Sequence, residues 1–376
     1  MATSDNGHRP FPEDLDRNIL LRLPVKSLLR FKCVCKNWYT LIKNPYFIRE
    51  HLYNCSKSKS LQLLIYDYGA LDGSPPITLI SDHGVAPLHE NLDYFQRFRG
   101  MTILIGSVDG IYLLERISDE KISYALWNPA IREVRPLPEP KIQFSTREGC
   151  FGCGLDPSTN DYKVVYFIKN RYAAVYSCSR DSCRIFEFTF KIFHSSKNCI
   201  VKFIFGTAYL NGAYYWLIRE WVTEGVKCSF LSFDFSNEVF GEIDGPDHYS
   251  DPKMPILFDD SIALLNLSAD CVYDIWVMIQ PGVWNKRFTF QCFPYFKSWY
   301  SSTVIFVTKS SRLVSYNVKT QKTTHLGLSY PGLKGVSYKD RCAVYPYKES
   351  LVAIKRENEE LGHCNYLEIF DSSIEL

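Results

Sequence analysis

Trp127-Asn128-Pro129-Ala130-Ile131-Arg132-Glu133-Val134-Arg135-Pro136-Leu137 decides how most of this chain is read. The apolar run Tyr124-Ala125-Leu126-Trp127 ends on an Asn, turns through a short polar stretch and returns as Val134-Arg135. Aromatic and β-branched residues suit strands, while Asn and Pro favour turns through local hydrogen bonds and a fixed φ. The same order recurs along the chain. Tyr66-Asp67 precedes Ile77-Thr78-Leu79-Ile80, and Phe233-Asp234 leads through Ser236-Asn237-Glu238 to Val239-Phe240. Tyr316-Asn317 leads through Lys319-Thr320-Gln321 to Thr323-Thr324, and Phe370-Asp371 stands near the end. The long gap between Asp234 and Asn317 has room for a further unit around Ile275-Trp276-Val277. Four-stranded blades take roughly 40–50 residues each. Residues 61–376 therefore fit a β-propeller of six to eight blades, with two packed β-sandwiches as the alternative because the repeat is too degenerate to force closure.

The composition agrees. Tyr and Phe number 25 each and aromatics reach 15% of the 376 residues, more than helical bundles need. The formal net charge is +2, which gives no bulk attraction to nucleic acid, and bases do not co-cluster with aromatics in the β region. The charge is uneven, however. Arg22 to Lys59 is almost purely basic, with Glu50 the one acid, whereas Asp234 to Asp260 is acidic, with Lys253 the one base. The first residues carry no apolar leader and no run approaches the 18 or so apolar residues of a membrane span. Thirteen scattered Cys without an export signal suit a reducing cytoplasm or nucleus.

Residues 11–52 have helical spacing instead. Leu15, Ile19 and Leu23 recur every four residues, Pro24 stops one helix and opens another, and Trp38, Leu41 and Ile42 mark a third that ends before Pro45. The whole chain is thus α+β and multidomain. Its expected division is a three-helix module over 9–53, a polar linker over 54–60 and the β domain over 61–376. Leu20 and Leu21 fall off the Leu15–Ile19–Leu23 stripe. A module of about 40 residues cannot bury two apolar faces alone, so the surplus marks a docking surface or a face covered by the β domain.

Phe11-Pro12-Glu13-Asp14-Leu15 and Ile19-Leu20-Leu21-Arg22-Leu23-Pro24-Val25-Lys26-Ser27-Leu28-Leu29-Arg30-Phe31, with Lys36-Asn37-Trp38, resemble a plant F-box, although Phe11 stands where Leu is usual. Leu126 to Glu133, Phe151-Gly152-Cys153-Gly154-Leu155-Asp156, Asp161 to Val165, Tyr273-Asp274-Ile275-Trp276-Val277-Met278 and Tyr347-Lys348-Glu349-Ser350-Leu351 resemble the F-box-associated, kelch-like domain. Within that group the chain looks most like the S-locus F-box proteins and their S-locus-linked relatives. Ile279-Gln280-Pro281-Gly282 departs from the charged turn usual there. The resemblance implies a non-catalytic adaptor of a cullin-RING ubiquitin ligase. Pro12, Leu15, Leu20, Leu23, Pro24, Leu28, Leu29 and Trp38 would hold a Skp-type linker, which joins the cullin and RING subunits. The β domain would hold a protein target, which the S-locus likeness implies is a basic pistil ribonuclease and which could equally be a developmental or defence protein.

Enzyme chemistry has weak support. Cys150-Phe151-Gly152-Cys153 with Cys178 and Cys183 invites zinc, but the second pair has four intervening residues and no His stands at ligand spacing. A propeller hydrolase would need close carboxylates such as Asp234, Glu238 and Glu242, which read better as hairpin residues. No cofactor, metal, nucleic acid or membrane is expected. Glu242, Asp244, Asp247, Tyr249 and Asp251 form the expected target surface, the acids steering a basic partner, against the plainer reading of a solvated hairpin. Tyr249, Trp284 and Trp299 are either hot spots or core.

Overall fold

The computed structural model describes residues 13–57, 62–67, 77–81, 84–87, 101–117, 122–138, 149–168, 172–189, 199–202, 209–222, 225–246, 251–269, 272–291, 295–300, 302–308, 312–329 and 342–354. The expected three helices are α1 (Glu13–Leu20), α2 (Val25–Phe31) and α3 (Lys36–Lys43), and a fourth follows, α4 (Pro45–Lys57). Pro45 is the first residue of that helix, where its missing N–H costs nothing, so it opens a helix as well as ending one. The stretch 54–60, expected to be a linker, gives its first residues to the end of α4.

The β region is a six-bladed propeller. Blade 1 contains β1 (Leu63–Asp67), β2 (Ile77–Ser81) and β3 (Gly84–Pro87), with β25 (Cys342–Pro346) paired to the free edge of β1. Blade 2 is β4 (Met101–Val108), β5 (Ile111–Ile117), β6 (Ile122–Asn128) and β7 (Glu133–Pro136). Blade 3 is β8 (Gly149–Asp156), β9 (Asp161–Ile168), β10 (Tyr172–Ser177) and β11 (Ser182–Glu187). Blade 4 holds β12 (Cys199–Lys202), β13 (Tyr209–Leu210), β14 (Ala213–Val222), β15 (Gly225–Asp234) and β16 (Val239–Asp244). Blade 5 is β17 (Asp251–Phe258), β18 (Ser261–Ala269), β19 (Val272–Gln280) and β20 (Val283–Gln291). Blade 6 is β21 (Tyr295–Tyr300), β22 (Thr303–Val307), β23 (Arg312–Asn317) and β24 (Lys322–Ser329). All pairings are antiparallel. The ring closes where Leu63 to Asp67 run against Pro346 to Cys342, so the first blade is built from both ends of the β region. Radial repetition of this kind leaves only short edges at the centre and the rim of the ring.

The inner strands of the blades are buried on both faces, which explains why β5, β10 and β22 read as apolar runs, whereas the outer strands β11, β16 and β20 are largely exposed. Leu64 and Tyr66 pack towards blade 2, while Leu63 and Ile65 pack towards blade 6. Every seam between neighbouring blades carries its own apolar cluster. Aromatics fill these seams, as with Tyr112 against Trp127 at 5.6 Å and Phe167 edge-on to Trp216 at 5.0 Å. Each such fully buried ring contributes roughly 2–3 kcal/mol of apolar transfer. Gly154 in the Phe-Gly-Cys-Gly run is where Phe235 of blade 4 presses on β8, and a Cβ there would collide with its ring.

The recurring Asp or Asn at strand ends is a turn device. Asn128 Oδ1 accepts from the Ala130 N–H at 3.0 Å, and Asp234 Oδ1 accepts from Ser236 and Asn237 at 2.8 and 2.9 Å. Asn317 Oδ1 accepts from Lys319 and Thr320 at 3.1 and 2.9 Å. Each turn then returns through a residue of positive φ, Arg132, Glu238 or Gln321. All these turns open on the face of the ring that carries the helices. The strand ends joined between successive blades lie on the opposite face.

Candidate functional site

The helical module is fixed to the ring by side chains from both. Leu20, Leu21, Val25, Leu28, Ile42 and Phe47 are buried with Leu351 of the β region, and Ala130 and Ile131 pack against them. Glu349 Oε2 accepts from the Val25 N–H at 2.8 Å, Arg49 pairs with Asn160, and Arg17 pairs with Glu50 inside the module. His51, 1% exposed, meets the Leu23 carbonyl through Nε2 at 2.9 Å.

This packing divides the expected docking set. Leu20 and Leu28 are 1% and 0% exposed, so they form the module's core and offer nothing to a partner. Leu23, Leu29 and Trp38 are half-buried, Pro24 is exposed, and Pro12 lies outside the described residues. Leu15 and Ile19, a turn apart on α1, are 43% and 52% exposed. Of the two readings of the surplus leucines, the packing fits a face covered by the β domain. Leu20 and Leu21 turn towards α2 and the ring, and the Leu15–Ile19 stripe is left to the outside. Among the described residues ten large hydrophobic side chains are exposed, and six sit on this small module: Leu15, Ile19, Val34, Tyr39, Tyr46 and Tyr53. Exposed Arg22, Lys26, Arg30, Lys36 and Lys43 surround them. An apolar face with a basic rim fits a partner that is acidic around an apolar centre. Ile19, Val34 and Tyr39 were not in the expected set. The four-residue spacing of Leu15 and Ile19 was a visible signal, but which face of α1 the ring would cover was not.

The expected target residues divide. Glu242 and Asp244 are exposed on β16, the outer strand of blade 4, and no cation pairs with either among the described residues. Asp247 and Tyr249 lie outside the described residues, and Asp251 begins β17 with its side chain undescribed. Asp234, Glu238 and Asp259 lie on the helical face and are engaged there. Glu238 pairs with Lys163 at 2.9 Å and with Arg184, and Asp259 pairs with Lys319. Trp299 is 7% exposed and donates to the Leu257 carbonyl at 2.9 Å. Trp284 stacks on Phe230 at 4.9 Å, so both tryptophans serve packing. Beside Glu242 a groove of about 560 Å³ runs between β11 and β16. Phe186, Phe188 and Phe240 floor it, the last two with ring centroids 4.8 Å apart.

A larger cleft, about 1450 Å³, lies between the helices and the turns around the central axis. It holds His51 and Cys55, Nδ1 to Sγ 3.7 Å. Burial and the Glu349 carboxylate raise the Cys55 thiol, so it stays protonated and is not an activated nucleophile. The carboxylates suggested for a hydrolase do not converge either, since Asp234 caps its turn while Glu238 is neutralised by two cations. Cys150 and Cys153 lie on opposite faces of β8, in the blade 3–4 and blade 2–3 seams respectively, so they cannot share a metal. Cys178 packs beside Cys153, and burial pushes both thiols up to about 12.

Comparison with known proteins agrees with this geometry. The model of the F-box domain matches residues 11–50, and that of the F-box associated beta propeller domain matches residues 87–354. The chain belongs to the F-box-associated β-propeller family. An F-box/kelch-repeat protein of Arabidopsis thaliana is 26% identical over 73% of this chain and 78% of its own length. A putative F-box protein of the same plant is 30% identical over 68% of this chain and 67% of its own. F-box protein CPR1, also from Arabidopsis thaliana, is 25% identical over 88% of this chain and 84% of its own. These likenesses give the plant F-box family at large and do not single out the S-locus branch. Among the described residues no helix is long and apolar enough to cross a membrane.

Proposed function

We propose that this chain is the target-recognition subunit of a cullin-RING ubiquitin ligase. The F-box helices dock on a Skp-type linker through Leu15, Ile19 and the basic rim, and the propeller presents a captured protein to the ubiquitin-carrying subunits. The chain contributes proximity and orientation, with no catalytic group of its own. The observation that carries this reading is the concentration of exposed apolar side chains on the one helical module packed against the ring. The free thiols of Cys33, Cys35, Cys55, Cys153, Cys178, Cys183 and Cys228 suit the reducing cytoplasm or nucleus where such ligases work.

The target surface this reading favours is the rim of blades 3 and 4. Its aromatic groove offers an apolar anchor, and Glu242 and Asp244 beside it suit a basic protein. A basic secreted ribonuclease, as the S-locus resemblance implies, is one such target; a basic developmental or defence protein is another. The test is capture from pollen and leaf extracts with wild type and a Leu15→Asp/Ile19→Asp variant. Wild type should bring down a Skp-type linker and cullin, and the variant should lose both while keeping the proteins bound to the propeller. Capture of linker by both forms alike would refute the docking face, and capture by neither would refute the adaptor role.

A further inference from the structure

Two family-like segments, Leu126-Trp127-Asn128-Pro129 and Tyr347-Lys348-Glu349-Ser350-Leu351, are far apart in sequence and have no part in binding linker or target in the reading above. In the fold they meet. Directly after the ring-closing strand β25, residues 347–354 cross the helical face of blade 2 as an extended strap. Blade 2 holds the strap along its length. Asn128 Nδ2 donates to the carbonyls of Ser350 and Val352 at 3.2 and 2.9 Å. Arg135 Nη1 donates to the Ile354 carbonyl at 3.2 Å, and the Ile354 N–H donates to Glu133 Oε2 at 2.8 Å. Lys348 Nζ reaches Asp109 at 3.5 Å, and its carbonyl presses on Gly110 so closely that a Cβ there would clash.

The other side of the strap enters the F-box. Leu351 is 3% exposed inside the F-box core. Glu349 accepts from the Val25 N–H at the start of α2, where Pro24 offers no side-chain cap and the first turn has no acid of its own. A free helix start is ordinarily capped by a neighbouring Ser, Thr, Asp or Asn. Here the capping oxygen comes from the other domain.

We infer that this strap sets the angle of the F-box on the propeller, with Glu349 as the positioning residue and Leu351 as its apolar peg. Domains joined in one chain swing relative to one another unless their interface prevents it. In this chain a directional hydrogen bond to the backbone of α2 and a side chain seated in the F-box core fix both orientation and depth. The strap follows the strand that closes the ring, so closure of blade 1 and seating of the F-box depend on the same stretch of chain.

The experiment uses the full chain with bioorthogonal fluorophores at Tyr46 on α4 and Val283 on β20, both exposed, and reads the distribution of distances between them. Wild type should give one narrow distribution. Glu349→Ala should broaden it roughly twofold with the melting temperature of the propeller unchanged. Glu349→Gln, which keeps an acceptor oxygen, should restore the narrow form. Leu351→Ser, with the peg removed, should broaden it further. A Glu349→Ala distribution as narrow as wild type would overturn the inference, as would a Gln variant as broad as the Ala variant. None of these readouts needs a linker or a target, so a failure here is separate from a failure of the adaptor role.

Discussion

The side-chain amide of Asn128 donates to the backbone carbonyl of Val352 at 2.9 Å, joining the end of β6 to a stretch 224 residues further on. Asn128 is fully buried, and its remaining oxygen shapes its own turn by accepting from Ala130. One side chain thus makes a hairpin and ties down the strap that carries the F-box.

Asn128→Ala should cost about 2–4 kcal/mol, because it leaves the buried Ser350 carbonyl, the half-buried Val352 carbonyl and a turn N–H short of partners. Asn128→Asp should cost at least as much, since a carboxylate would face two carbonyl oxygens. Chemical denaturation of the two variants beside wild type checks both, and a loss below about 0.5 kcal/mol for Ala would contradict the role given to this residue.

The seam between blades 3 and 4 holds a buried ionic group that predicts acid sensitivity. Asp156, 1% exposed, lies 2.9 Å from Lys163 Nζ and accepts from Ser158, Thr159 and Ser236. Burial alone would raise its pKa, but these donors together hold it well below the usual carboxylate range. Its folded pKa is thus depressed, and its stabilisation is present in full well above the ordinary 3.8 and fades as the pH falls through and below that value. Asp156→Asn should lower stability at neutral pH and flatten the loss of stability on acidification. Lys163→Met should cost about 3–5 kcal/mol, because it strands the buried Asp156 without its cation and leaves Glu238 only Arg184. An acid limb of equal slope in Asp156→Asn and wild type would contradict this account.

Thiol chemistry separates the cysteines by position. Cys153 and Cys178 are pushed up to about 12 by burial, so they should resist alkylation at pH 8 in the folded chain. Cys33 and Cys35 are exposed on the helical module and should alkylate readily. Peptide mapping after a short iodoacetamide pulse reads this, and early labelling of Cys153 would show that the blade 2–3 seam opens.

Charge reversal at Glu242 and Asp244 should slow association with a basic target and weaken its salt dependence while leaving dissociation nearly unchanged. Association rates over a salt series would show it. Rates indistinguishable from wild type would return these two acids to the status of solvated strand residues.

Much of this was legible in the residues. The order of apolar run, Asx and polar turn told of antiparallel hairpins, because the side-chain oxygen of Asn128, Asp234 or Asn317 has a physical task at the turn. Blade number was less legible, since blade 1 draws β25 from the far end of the β region and blade 3 ends β10 on Ser177, with Asp161 of the neighbouring strand accepting from the turn instead. Which apolar face of α1 stays exposed was not legible. Periodicity on α1 revealed two apolar faces, but the choice between them depended on Leu351 and Ile131, which come from elsewhere in the sequence. The acidic stretch likewise looked like one patch, whereas β16 runs away from the helical face and β17 runs back to it, so Glu238 and Asp259 share that face while Asp244 lies at the far end of β16.

The most direct test of the adaptor account is a calorimetric titration of the purified full chain with a purified plant Skp-type linker, comparing wild type with Ile19→Asp. The account predicts tight binding by wild type and a loss of at least about 2 kcal/mol in Ile19→Asp, with thermal unfolding of the two proteins superimposable. Equal affinity in the two proteins, or no binding by wild type, would contradict it.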